Sequence, residues 1–317
     1  MKDGLAIYRY GTGEPILLMP YPHGISAVPG PVMQALIRGL KDLGKQVITF
    51  DVPQSGRSRR PTRLDMAEVL ECAEEALAAW GVEGPVDVMG HCHGGWAALG
   101  LAIERPERVR RLVLAGTFAA MASYRRAPGA LWNRSHPLYW RWRFWMVALL
   151  LSEREAVEKL MWNVIRRASF VDQAYFVPRP IRRRDLLRHA GPRARWLDPL
   201  PRGGPSAPRR LDYRPRLREV RAPTLVLAGA HDAQMPPSCS EELAKGIPDA
   251  RLTNFERSGH HPFVEEPEAF WAAVGRFLSS EQAERQADGQ ADGQADGRAD
   301  GRADRPDHQQ ATGLAAP

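Results

Sequence analysis

Lysine is scarce in this chain. Of 317 residues only five are Lys, against 39 Arg. That bias, shared with Ala, Gly and Pro, fits the codon usage of a GC-rich genome. The formal charge of +7 is therefore weak ground for a nucleic-acid partner, and no nucleic-acid-binding motif accompanies it. Cysteine is scarcer still, with only Cys72, Cys92 and Cys239. An odd, sparse set does not make a disulfide framework and suits a reducing compartment. Long apolar runs are missing too. The greasiest stretch, Leu138 to Leu151, is interrupted by Arg141 and Arg143 and is shorter than the roughly 20 residues a membrane-crossing helix needs. Met1-Lys2-Asp3-Gly4 leads straight into a strand-like run, with no charged segment followed by an apolar core. The expectation is a cytoplasmic protein with no membrane span.

The composition is globular: 44% hydrophobic and 26% charged residues, in a chain long enough for one large domain with an insertion. Short apolar runs at Gly4–Tyr10, Pro15–Met19, Gln46–Phe50, Val86–Met89, Val109–Ala115 and Thr224–Ala228 read as strands. The first two, separated by Gly11-Thr12-Gly13, read as a hairpin. Met66, Val69, Leu70, Ala73, Leu77 and Trp80 fall at helical spacing, and a second helix is expected from about Gly94 to Glu104, ending before Pro106. Strands alternating with helices, and nearly continuous in apolar character, predict an α/β protein: a mostly parallel sheet with helices on both faces.

Two segments break that rhythm. Residues 118–220 carry 21 Arg and one Lys against eight acids, with aromatics and arginines interleaved in Leu138-Tyr139-Trp140-Arg141-Trp142-Arg143-Phe144-Trp145. They read as an inserted helical cap. From 281 the chain runs into tetrads such as Gln286-Ala287-Asp288-Gly289, too poor in large apolar residues to bury a core, and reads as a disordered repeat tail. The expected division is a core of residues 1–117 and 221–280, a cap of 118–220 and a tail of 281–317.

Chemistry concentrates at Gly90-His91-Cys92-His93-Gly94-Gly95, directly after the run Val86-Asp87-Val88-Met89. Two glycines bracketing a nucleophile between a strand and a helix make a sharp elbow that lifts the nucleophile clear of the sheet. Here the nucleophile is a thiol, so the covalent intermediate would be a thioester. Further along, Thr224-Leu225-Val226-Leu227-Ala228-Gly229-Ala230-His231-Asp232 delivers an acid at the end of a strand, and Ser258-Gly259-His260-His261 supplies histidine.

Nucleophile, acid, histidine, in that order, resembles the capped α/β-hydrolases over roughly residues 4–117 and 220–278, in a variant with cysteine as nucleophile. Phe50-Asp51-Val52-Pro53-Gln54-Ser55-Gly56-Arg57-Ser58 and Arg105-Pro106-Glu107-Arg108-Val109 are similar to further segments of that family. The resemblance implies that Cys92 attacks a carbonyl carbon, His260 handles the proton, and Asp232 orients the imidazole. It places the histidine directly after Gly259, which favours His260 over His261, and by its motif favours Asp232 over Asp249. Helix N-termini and imidazolium neighbours favour thiolates in general.

One departure matters. The family has His-Gly-x-Pro-Gly after its second apolar strand, and the x residue gives a backbone N–H to the oxyanion hole. This chain has Pro20-Tyr21-Pro22-His23-Gly24 there, so Pro22, which has no N–H, falls at x. The remaining donor is the N–H of His93. Tyr21 and His23 are candidate substitutes, and His91 a candidate wall of the site. His91-x-His93 has the look of a metal pair, but a tight turn aims the two apart; no metal and no cofactor is expected. The expected substrate is an activated ester, thioester or lactone, with a carrier protein or coenzyme A thioester as candidate partner at the basic cap. A lyase, isomerase or cyclase using His260 or His23 as general base, and a ligand-binding receptor on the same scaffold, are the alternatives.

Overall fold

Seven strands form one sheet: β1 (Ile7–Tyr10), β2 (Pro15–Met19), β3 (Gln46–Phe50), β4 (Val86–His91), β5 (Val109–Ala115), β6 (Thr224–Gly229) and β7 (Ala250–Phe255). The structure is a computed structural model that describes residues 3–22, 31–61, 65–151, 155–172, 174 and 212–279. The expected tail, His23 and the cap residues 175–211 lie outside that set. Residues up to Arg276 make one compact unit. The second, from Phe277, is described only at its helical start.

The strand order is β1-β3-β2-β4-β5-β6-β7, with β1 antiparallel to β3 and every other pairing parallel. The hairpin expected of β1 and β2 does not form, because β3 lies between them. Gly11-Thr12-Gly13 looks like a hairpin turn locally. β2 is buried along Ile16–Met19, however, and gains more by pairing on both edges with other parallel strands. Every residue of β4 and β6 is buried, as strands covered on both faces require.

Helix α1 (Pro31–Asp42) turns a stripe of Met33, Leu36, Ile37 and Leu40 inward. Helix α2 (Met66–Ala78) begins at Asp65, whose side chain accepts from the Glu68 N–H at 2.7 Å, and buries Val69, Leu70, Ala73 and Leu77. Helix α3 (His93–Glu104) is apolar almost all round and buries ten residues from Gly94 to Ile103, with Trp96 stacked on Phe118. Between β5 and β6 stand α4 (Met121–Arg126), α5 (Pro137–Leu151) and α6 (Glu155–Ser169). Leu131, Val164 and Ala168 form a small core there, packed against Trp132, Leu138, Trp142, Trp145 and Ala233. Helices α7 (Pro237–Gly246) and α8 (Pro262–Glu265) follow β6 and β7.

The two ends of the sheet differ in chemistry. Near the strand starts, the fully buried Asp87 meets Lys45 (3.2 Å), Arg110 (2.8 Å) and Arg111 (3.6 Å). This paired cluster interrupts what the sequence presents as an apolar run. The carboxyl ends carry the site. From β2 the chain crosses to β3 on one side, and from β4 to β5 on the other. The crevice above β2 and β4 is therefore the switch point at which open parallel sheets present their functional groups.

Candidate active site

Cys92 stands between β4 and α3 with φ 54° and ψ −127°, a conformation that a side chain adopts only under constraint. Hydrogen bonds hold it. Its N–H donates to the Ala115 carbonyl at 3.0 Å, and its own carbonyl accepts from the Thr117 hydroxyl (2.6 Å), the Gly95 N–H (3.0 Å) and the Trp96 N–H (3.3 Å). The flanking glycines are there for space. A Cβ on Gly94 would lie 2.6 Å from the Met19 carbonyl oxygen, and one on Gly90 would run into the Gly94 carbonyl. The bend therefore packs directly on the end of β2.

Asp232 and His260 meet deep in the molecule. His260 Nδ1 donates to Asp232 Oδ2 at 2.7 Å, with both side chains almost wholly buried. The other carboxylate oxygen accepts from the N–H groups of Gln234 and Met235, at 2.8 Å each, so the loop after β6 fixes the acid. Cys92 is within hydrogen-bonding reach of His260. Burial alone would pull His260 down. The Asp232 carboxylate and negative charge at Cys92 outweigh it and push the imidazole up to about 10. His260 is thus held toward its charged form in the interior. Gly116, at the end of β5, lies beside this pair: a Cβ there would come within 3.4 Å of both Asp232 Oδ2 and His260 Nδ1.

Three imidazoles crowd together, with ring centroids 4.6 Å (His91–His260), 5.2 Å (His91–His261) and 4.9 Å (His260–His261) apart. Only one carries charge. Burial, then the neighbouring His260 cation, hold both His91 and His261 well below the usual histidine range. His91 Nε2 faces the His260 carbonyl at 2.8 Å and so donates to it, which leaves Nδ1 to accept from the Tyr21 hydroxyl at 2.5 Å. Burial and charge at Cys92 hold Tyr21 well above the usual phenol range. Its single proton is directed at His91. His261 Nδ1 is buried with no hydrogen-bond partner among the described residues, and its ring packs on Phe170 and Phe263.

His93 turns the other way. Its Nδ1 lies 3.3 Å from Cys92 Sγ, and its ring meets Phe118 and Tyr124 edge-on. His91 and His93 thus face different partners, and among the described residues no group of three or more His, Cys, Asp or Glu could hold a metal. Pro22 is buried at the end of β2. Cys72 and Cys239 are buried elsewhere, and burial pushes each thiol up to about 12.

Residues without an assigned part in the sequence reading complete the setting. The Ser169 carbonyl, at the end of α6, accepts from the His260 N–H at 2.6 Å, and the Ser169 hydroxyl accepts from Gln234. The Glu265 carboxylate accepts from the N–H groups of Gly259 (2.7 Å), Val171 (2.7 Å) and Asp172 (3.2 Å), tying the segment after α6 to the histidine loop. These are long-range backbone contacts, for which a sequence carries no signal.

Residues 23–273 match the model of the alpha/beta hydrolase family. The chain is 30% identical over 285 residues to a 2-hydroxymuconate semialdehyde hydrolase of Pseudomonas putida, covering 87% of this chain and 91% of that protein. It is also 28% identical over 285 residues to the polyketide synthase ThaQ of Burkholderia thailandensis, covering 86% of this chain and 12% of that much longer protein. Among solved structures, an alpha/beta fold family hydrolase from Bacillus anthracis str. Sterne shares the fold, with a TM-score of 0.68 at 22% identity over 86% of this chain and 94% of that one. No helix among the described residues is long and apolar enough to cross a membrane. With a family match over most of its length and a hydrolase relative of near-equal span, the chain belongs to the alpha/beta hydrolase family.

Proposed function

We propose that this enzyme works through a Cys92–His260–Asp232 triad, forming an acyl-Cys intermediate from an activated thioester, ester or lactone. The observation that carries the reading is the buried His260, held by Asp232 at 2.7 Å and within hydrogen-bonding reach of a cysteine on a strained elbow. Cys92 Sγ attacks the acyl carbon, the C–S bond forms, and the bond to the leaving group breaks. The leaving group departs with the proton that His260 releases. Acylation neutralises the sulfur. One of the two charges that hold His260 cationic is then gone, and the imidazole gives up its proton more readily at the moment the leaving group needs it. A neutral His260 can next deprotonate water, which attacks the thioester and returns the electron pair to sulfur.

The His93 backbone N–H, next after the nucleophile at the start of α3, is the proposed oxyanion donor on one side. Pro22 supplies none, and the Tyr21 proton is engaged by His91. Losing one oxyanion donor costs roughly 3 kcal/mol of transition-state stabilisation. Activated acyl groups, whose barriers are lower to begin with, are therefore the substrates that suit the site.

The polyketide synthase relative supports a thioester substrate and a place in small-molecule biosynthesis. So does the exposure of Arg134, Arg141, Arg143 and Arg167 on the segment 118–220, which we read as a cap that receives a carrier protein or a coenzyme A thioester. A cytoplasmic location belongs to the same proposal. Turnover of a panel of acyl thioesters and lactones by wild type and by Cys92→Ala tests it: the alanine variant is expected to lose turnover. A second reading, favoured by Pro22, keeps the pocket but uses a histidine as general base without a covalent step, as a lyase, isomerase or cyclase would. Full activity in Cys92→Ala supports that reading and rejects the first.

A further inference from the structure

The Cys92 sulfur has two imidazoles within reach, and they sit in opposite surroundings. His260 lies on the buried side against a carboxylate. His93 is half-buried, with Nδ1 3.3 Å from Sγ. Its ring is set by shape: Phe118 at 5.1 Å and Tyr124 at 6.2 Å meet it edge-on, and those two buried rings pack on each other at 4.7 Å. Phe118 follows β5 and Tyr124 lies in α4, so these elements set the imidazole beside the sulfur while leaving it half-buried.

We propose that the His93 side chain is a second catalytic base, which activates the acceptor that takes the acyl group from Cys92. The inference rests on the acyl-Cys reading and extends it from hydrolysis to acyl transfer onto a thiol or amine. In the acylated enzyme the acceptor H–X enters over His93. His93 takes the proton as X attacks the acyl carbon, and the C–X bond forms. The C–S bond then breaks, and its electron pair returns to sulfur. The proton on His93 passes to Sγ at 3.3 Å and on to His260, which restores the resting charges of the triad. Division of labour follows from placement. The buried His260 serves the leaving group, and the half-buried His93 serves the incoming one.

The test separates the two half-reactions. Wild type, His93→Asn and His93→Gln are mixed with 4-nitrophenyl acetate, and the nitrophenolate burst reads acylation. N-acetylcysteamine is then added, and formation of its acetyl thioester reads transfer. Asn keeps a polar atom near the position of Nδ1 but cannot carry the proton. The expected result is thiol-dependent transfer slowed about 10²-fold more than the burst in both variants, the lower end of what a positioned base contributes. Equal losses in burst and transfer would mark His93 as merely structural and overturn the proposal, as would transfer at the wild-type rate. No burst from wild type, or a burst that persists in Cys92→Ala, would instead remove the acyl-Cys reading on which it rests.

Discussion

At the scale of single residues, the site is governed by which groups carry charge after burial has been set against partnership. His260 and His261 are neighbours in sequence and equally enclosed, yet one is held up to about 10 and the other well below its usual range. The difference is Asp232, which reaches one ring and not the other. Replacing Asp232 by Asn should therefore bring the His260 titration down from about 10 toward the ordinary histidine value near 6.5. A pH profile of the acylation burst reads this. In wild type the rate falls as pH rises through about 10, where His260 loses the proton the leaving group needs. In Asp232→Asn that fall comes earlier, with a rate at pH 8 lower by about 30-fold, the loss of protonated His260 that the shift implies. An unmoved limb would separate His260 from the leaving-group proton. The choice of His260 over His261 came from a resemblance, since two adjacent histidines look alike in a sequence. Their opposite titrations arise from a carboxylate 28 positions away.

At the scale of elements, the elbow and the histidine loop are held by backbone contacts that leave no room for change. A methyl at Gly94 meets the Met19 carbonyl oxygen at 2.6 Å, which backbone cannot yield cheaply. Gly94→Ala should lower stability in urea by about 3 kcal/mol, against a small effect at Gly84, where a Cβ meets nothing. Glu265→Ala removes the acceptor for three N–H groups. Amide exchange at Val171, Asp172 and Gly259 should then quicken, and acylation should slow, because the loop that carries His260 has lost its tie to the segment after α6. The elbow was readable from two glycines around a nucleophile, because close packing at a bend restricts which residue types can serve. Pairing was not readable to the same degree. Gly11-Thr12-Gly13 looks like a hairpin, but β3, more than 25 residues on, takes the place between β1 and β2. Strand β7 went unforeseen because its sequence, Ala-Arg-Leu-Thr-Asn-Phe, is half polar and it is only half covered at the edge of the sheet.

At the scale of the whole molecule, three histidines set opposing limits on stability against pH. His91 and His261 are neutral when folded and take up protons on unfolding below about 6.5, so stability falls as pH falls through that range. Each contributes a slope of about 1.4 kcal/mol per pH unit. His260 acts the other way. Its folded value is raised, so its contribution is complete below about 6.5 and is lost as pH rises through about 10. Urea denaturation from pH 5 to 6.5 should show a shallower loss in His261→Phe than in wild type, by the slope of one proton. An identical slope in both would mean that His261 is already charged in the folded protein. The general architecture was legible because the parallel strands β2 to β6 are each built on a short, mostly apolar run. The cluster of Lys45, Arg110 and Arg111 around Asp87 was not, since charges far apart in sequence give no sign that they will be buried together.

The most direct test of the central claim is intact-mass analysis of the protein, quenched in acid seconds after mixing with an activated acyl thioester. Wild type should gain the mass of one acyl group, mapped to Cys92 by peptide analysis and absent from Cys92→Ala. Turnover of the same thioester with no adduct, or an adduct that persists in Cys92→Ala, would contradict covalent catalysis by this cysteine.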